Sequence, residues 1–409
     1  MEYIIKNRFK LKSLSASWDR LLAFLFEGFV LTGFILRRFA LRVVLAVIPA
    51  FTAHAAPTGF DPIPVQMVYP PITDNGSADR QLASGRVVEA RFEMAKPARK
   101  PWRIAFLFPH IKDPYWVGCS YGVRTEARRL GVSADILLAG GYDDLIGQFL
   151  DMDEAIAAKY DAIVISPLSL SANNASIARA SAAGIPVFEL ANDSTSPDLV
   201  TKVTTSLEGM GSVAMNWVIA DAQRRGMKSI RVGLLPGPAG AGWVKGEVEG
   251  TRKAARQAPI AVHILETLYG DSDRIGQTQL AARMVSKYGR ALDYLIGCSG
   301  CAPAARLPVE AAGLSGKIRI VAYDLTREIA DLIDRGEIDA AADTRGVSQA
   351  RVAIDTAVNY LEGRTQRMPK AILIEIGLVD RANHDHYRFD ESVAPPGYVP
   401  VLTDPGGGR

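Results

Sequence analysis

The chain has 409 residues, 48% of them hydrophobic and 22% charged, the make-up of a folded protein with two lobes or two ordinary domains. Its formal net charge of +3 sits largely in the first 42 residues, and no later stretch is basic enough to follow a nucleic-acid backbone. Three cysteines exclude a disulfide framework, and five histidines without paired spacing give zinc no site, so no metal or cofactor is expected.

The first element is an export signal. RRFALRVVLAVIPAFTAHAA, residues 37–56, runs from arginines through an apolar core to a small-x-small end, with cleavage expected after Ala55. Upstream, LLAFLFEGFVLTGFIL at 21–36 is short for a membrane span and carries Glu27. It belongs either to an overlong leader, with the true start downstream, or to an uncleaved membrane anchor within residues 21–52. Residues 1–55 are thus assigned to the signal, and 56–101, rich in Pro, Gly and polar residues, to an irregular surface leader.

From residue 102 a regular alternation begins. Apolar runs at 103–108, 134–140, 162–167, 186–191 and 202–205 read as strands, with helices expected near 115–130, 143–159 and 171–183. After a helix near 209–225, a second series follows at 230–237, 261–270, 292–299, 318–324 and 338–344. A helix at 346–362 and a strand at 372–379 are left over. Strand and helix in strict succession imply an α/β protein with two doubly wound parallel-sheet lobes. The expected lobes are 102–206 plus 346–364 and 207–345 plus 365–381, followed by a tail at 382–409.

In such sheets ligands bind at the carboxyl ends of the strands. After the first strand come Asp113, Tyr115 and Trp116. Adjacent aromatics cannot both face one way on a helix, so at least one points into a cleft, and Asp113 serves either a ligand or the helix N-terminus. GPAGAG at 237–242 resembles a phosphate loop, but it lies in the second series rather than at the opening of a dinucleotide unit. A secreted nucleotide-dependent enzyme built on that loop is the reading from another class. Trp243 and Lys245 follow the loop, toward the cleft or the helix surface. Asp324 closes a strand where a carboxylate meets a hydroxyl or ammonium better than it packs, and Asp343 and Thr344 repeat the arrangement. No serine, histidine and aspartate fall into a catalytic order, and no paired carboxylates mark glycoside chemistry, so binding without turnover is expected. The cysteines of CSGC at 298–301 read as small loop residues, with a tight local bridge as the alternative.

FPHIKDPYWVGCSYG (108–122), AGGYDD (139–144), IPVFELAN (185–192), LPGPAGAG (235–242), KGEVEG (245–250), YGDSD (269–273) and PPGYVPV (395–401) together resemble the type I periplasmic binding proteins of the ribose-binding, LacI-like class. The likeness runs from about 100 to 401. It is strongest to the branch that works with a membrane sensor histidine kinase in the trimethylamine N-oxide response. The resemblance implies two lobes joined by three crossings, near 204–208, 343–347 and 363–370, that close on a small polar or methylated-amine ligand. The partner it implies is the kinase, with the permease of an ABC transporter as the alternative. It assigns ligand contact to Asp113, Tyr115, Trp116, Tyr142, Asn192, Lys245, Ser299, Asp324 and Thr344. Trp243 and Asp343 are weaker candidates on position. Two residues depart from the branch: Leu207 stands where a cage tryptophan is expected and Asp324 where a tyrosine is expected. Both changes make the pocket less aromatic and more acidic, which admits a polyol, a sugar or another small amine.

Overall fold

The β-branched runs and the helical spacings between them fold as their alternation requires. The computed structural model describes residues 62–403 except Asn75, all within the unit Asp61–Arg409. The expected signal, its cleavage point and the alternative anchor lie outside the described residues. The chain opens with β1 (Ile63–Tyr69), α1 (Ala78–Ser84) and β2 (Arg86–Phe92). Then come β3 (Arg103–Phe108), α2 (Pro114–Leu130), β4 (Ser133–Leu138), α3 (Leu145–Ala157), β5 (Ala162–Ile165), α4 (Asn174–Ala182), β6 (Val187–Leu190) and β7 (Lys202–Thr204). The second series is α5 (Leu207–Arg224), β8 (Ser229–Gly237), α6 (Gly242–Gln257), β9 (Ala261–Tyr269), α7 (Arg274–Tyr288), β10 (Tyr294–Gly297), α8 (Cys301–Ala311), β11 (Arg319–Ala322), α9 (Arg327–Asp334) and β12 (Ala340–Asp343). The chain returns through α10 (Gly346–Leu361), β13 (Ala371–Ile374) and β14 (Gly377–Asp380).

Two sheets result, ordered β2-β1-β13-β7-β6-β5-β3-β4 and β14-β12-β11-β10-β8-β9. Their centres are parallel, because helical crossovers return the chain to the same end of the sheet each time. Antiparallel strands are added at one side of each, β1 and β2 in the first and β14 in the second. Apolar side chains cover both faces of both sheets, as buried parallel strands demand.

Two boundaries differ from expectation. Residues 62–101 are not an irregular leader. IPVQMVY and RVVEARF are short strand-forming runs among the prolines; they pair with each other, and the first pairs with β13. The stretch 372–379 is not one strand. It breaks at Glu375 and Ile376, so β13 completes the first sheet and β14 the second. Residues 371–374 therefore belong with the first lobe, and the third crossing is at 375–376 rather than 363–370. The other two crossings lie between β7 and α5 and between β12 and α10.

Lys202 ties the former leader into the first lobe. Its ammonium, 1% exposed, pairs with Asp193 at 2.6 Å and donates to the carbonyls of Gly76, at 3.0 Å, and Ser194. Asp193 in turn accepts from the Ala78 backbone N–H at 2.8 Å, so α1 hangs on the same carboxylate. Glu189 lies alongside, its pKa pushed up to about 8 by burial against the opposing pull of Lys202. Removing the cation leaves a buried carboxylate and two carbonyls without their donor. Lys202→Met is expected to destabilise the fold by about 3–5 kcal/mol, read as a lower urea midpoint. An unchanged midpoint would mean that this network is not holding the N-terminal strands in place.

Candidate ligand-binding site

The turns after the carboxyl ends of both sheets face one another and enclose a cavity of about 40 Å³. That is several times the room one water needs, as a small-ligand site requires. The first lobe contributes Asp113, Tyr115, Trp116, Tyr142, Ala191, Asn192 and Thr205. The second contributes Leu207, Trp243, Glu247, Ser299 and Asp324, and the crossing into α10 adds Thr344 and Gln349.

Asp113 is the helix N-cap, and it also reaches the opposite lobe. One carboxylate oxygen accepts the Tyr115 backbone N–H at 3.0 Å and caps α2, with Pro114 at the first helical position. The other accepts the Ser299 hydroxyl at 2.6 Å from the opposite lobe. This bond separates the cavity from a neighbouring space of about 140 Å³ lined by His110, Lys112, Asp271 and Arg274 among others. Ser299 lies inside the CSGC turn, and the turn is bridged: Cys298 and Cys301 form a disulfide, with Cα atoms 4.7 Å apart. The unbridged small-residue loop is thereby corrected. The turn between β10 and α8 folds the two residues against each other, which spacing alone does not reveal.

Aromatic rings form much of the wall. Trp116 is only 2% exposed and packs against Phe108 at a centroid distance of 4.9 Å, so it is core and cavity wall at once. Tyr115 meets it edge-on at 5.1 Å. Tyr142 reaches across to Trp243 of the second lobe at 5.8 Å, and its hydroxyl pairs with Asn192. Trp243 also explains the glycine loop before it. Gly237 has φ 112°, and a Cβ there would sit 2.5 Å from the indole ring. The loop is shaped to seat a tryptophan, which gives its glycines a role without any phosphate.

Two expected residues are not in the cavity. Lys245 is exposed and faces a separate groove with Asp79, Glu208 and Glu249. Successive helical residues turn by about 100°, so Trp243 and Glu247 share the cavity face of α6 while Lys245 points away. Asp343 is buried but already engaged. It accepts from the Tyr387 hydroxyl at 2.7 Å, from the Ser392 hydroxyl and from the Arg345 backbone N–H at 2.8 Å. It thereby pins the second crossing, where Arg345 holds a left-handed φ of 55°.

Glu247, by contrast, was missed. Its signal was the glycine spacing around it. Gly246 and Gly250 let α6 approach α5 so closely that a Cβ at Gly250 would lie 1.8 Å from the Glu208 carbonyl. That contact brings the next residue face, with Glu247, to the cavity at 1% exposure. Thr205, Gln349 and Ala191 carried no such signal.

The electrostatics of the cavity are one-sided. Asp113, Glu247 and Asp324 line it, and no Lys, Arg or His does. Burial pushes the Glu247 carboxyl well above its usual range, with Asp324 adding to the effect. Asp324 is pushed up to about 7, by burial first and by Asp113 second, while a bond with Thr344 acts the other way. The Ser299 hydroxyl is committed to a carboxylate rather than a base. The arrangement suits holding a guest.

These features are those of a two-lobed protein with a cavity between its lobes. Residues 104–365 match the periplasmic binding protein domain family, and the chain belongs to it. The family comprises ligand-binding receptors and transport components, several of them periplasmic. The periplasmic protein TorT of Escherichia coli K12 is 29% identical over 304 residues, covering 74% of this chain and 85% of that protein. An ABC transporter solute-binding protein from Bradyrhizobium sp. BTAi1, solved with bound Bis-Tris, is 32% identical at a TM-score of 0.70, covering 84% of this chain and 99% of its own. The complex of TorT with the TorS sensor domain in the presence of TMAO superimposes at a TM-score of 0.65 with 25% identity, over 74% of this chain. Among the described residues no helix is long and apolar enough to cross a membrane.

The raised pKa of Asp324 has a definite sign. The folded state holds that proton more tightly than the unfolded chain, so stability from it is full below about 3.8 and is lost as pH rises through about 7. Asp324→Asn is therefore expected to raise the melting temperature more at pH 8 than at pH 5. A pH-independent difference between variant and parent would show that Asp324 does not titrate in this window.

Proposed function

We propose that this protein is exported to the periplasm, closes its lobes on a small amine or amine oxide, and presents the closed form to a membrane sensor histidine kinase. The observation that carries the reading is the cavity wall. Tyr115, Trp116, Tyr142 and Trp243 surround it together with three carboxylates and no basic side chain. Aromatic faces attract cationic and methylated nitrogen, and buried carboxylates add to that preference. Trimethylamine N-oxide is the member of this class to which the likeness to TorT points, and the TorT–TorS complex supports a kinase as the listener. The Bis-Tris held by the Bradyrhizobium protein is itself a hydroxylated amine, which supports the amine class.

A ligand switches such a receptor only through unequal affinity for its open and closed forms. Contacts made by both lobes provide this, because Tyr142–Trp243 and Asp113–Ser299 exist only when the lobes meet. A second reading changes only the listener: the solute-binding component of an ABC transporter, as in the Bradyrhizobium relative. Titrating the soluble domain of a candidate kinase and purified permease vesicles against the ligand-loaded protein separates the two.

Ligand class is tested by thermal shift and calorimetry. A ligand confined to the folded state at one hundred times its Kd adds about 2.7 kcal/mol of stability. Trimethylamine N-oxide, methylated amines or other small amines are expected to raise the melting temperature, and sugars are not. A shift with D-ribose or D-allose alone would replace the amine reading by a sugar-binding one. Tyr142→Ala is expected to weaken binding by about 0.5–2 kcal/mol in folded protein; it is a cleaner probe than Trp116, whose removal also opens the core.

A further inference from the structure

Three polar atoms of the cavity residues are buried without a partner: Glu247 Oε2, Asp324 Oδ1 and the Trp243 indole Nε1. Their chemistry differs in kind. An ionised carboxylate oxygen only accepts hydrogen bonds, whereas an indole nitrogen only donates. A buried polar group left unmatched is unfavourable, and a cation brought between these two carboxyls draws them into the ionised form, so a cationic guest that fits this wall supplies donors to two carboxylates and an acceptor to one indole. Asp113 makes no such demand, because Ser299 and the Tyr115 backbone already occupy its two oxygens.

The three atoms are arranged for one small molecule. Trp243 and Glu247 are four residues apart on α6 and point from the same face. Asp324 follows β11 and comes from another element of the same lobe. A guest between them meets donor-seeking oxygens and an acceptor-seeking N–H within the same cavity. Resting on the receptor reading above, we propose that the guest is a protonated amino alcohol: an ammonium whose N–H groups, supplemented by a hydroxyl where the nitrogen is tertiary, are donated to Glu247 and Asp324, and whose hydroxyl oxygen accepts from Trp243.

Other members of the amine class meet only part of the demand. A neutral amine oxide accepts from the indole or from a protonated carboxyl, but it brings no net charge to ionise the carboxyls and no N–H or O–H to give them. A quaternary ammonium brings charge without an N–H donor. A sugar has donors and acceptors but no positive charge to set against Asp113, Glu247 and Asp324.

The test is isothermal titration of the mature protein with ethanolamine, diethanolamine, triethanolamine, choline, trimethylamine N-oxide and D-ribose at pH 7.5. At least one of the three protonated amines is expected to bind tenfold or more tightly than choline or the N-oxide. Glu247→Gln and Trp243→Phe are each expected to weaken that binding at least tenfold while leaving thermal unfolding cooperative. Tighter binding of choline or the N-oxide overturns the donor requirement but leaves the amine receptor standing. Binding of D-ribose alone, or silence across the set, overturns both. Undiminished amine affinity in Glu247→Gln, in protein that still melts cooperatively, overturns the assignment of that carboxylate to the guest.

Discussion

Three carboxyl groups around one cavity whose wall holds no basic side chain is the constraint on which this structure turns. Removing a carboxylate from water is unfavourable unless something replaces the lost hydration. Asp113 finds replacement in a helix N-terminus and a hydroxyl from the other lobe. Asp324 finds it in part, from Thr344, and Glu247 has no such bond; burial drives all three toward the protonated form. The aromatic walls sharpen the effect by excluding solvent. A fold selected for stability alone would fill such positions with apolar side chains. Their presence is understandable where a guest completes the site.

Two lobes make such a site adjustable. Each has its own sheet and its own buried clusters, so each keeps its shape when they part. The crossings between them are short and individually secured. At the first, Asp79 of α1 accepts from Ser206 and from the Glu208 backbone N–H, holding the start of α5. At the second, Asp343 is gripped by Tyr387 and Ser392 from the C-terminal tail, and Arg345 pairs with Glu391. The tail continues to the first lobe, where Ile136 N–H donates to the Leu402 carbonyl at 2.7 Å. N-terminal and C-terminal segments thus fasten different crossings.

The site was legible where chemistry follows directly from position along the chain. Asp113, Tyr115, Trp116, Tyr142, Asn192, Ser299, Asp324 and Thr344 all follow strand ends, and all line the cavity. Lys245 and Glu247 mark the limit of that reasoning. Both lie on α6 past its loop, and which one turns inward is set by the rotation of the helix. That rotation follows from the close packing of Gly246 and Gly250 on α5. Asp343 marks a second limit, because the tyrosine and serine that occupy it arrive from more than forty residues along the chain.

Periodicity alone determined the alternation of strands and helices, and with it the α/β class and the loops that gather at the strand ends. These are local properties, expressed wherever apolar spacing and turn residues agree. Pairing between distant segments was decided only in three dimensions. β1 and β2 join the first sheet although prolines surround them, and the last apolar stretch divides between two sheets at Glu375 and Ile376. The guest-facing side of α6 and the bridge within CSGC belong to the same category. Each depends on which surfaces meet, and the energy of that meeting is shared among residues too far apart in sequence for any local pattern to record it.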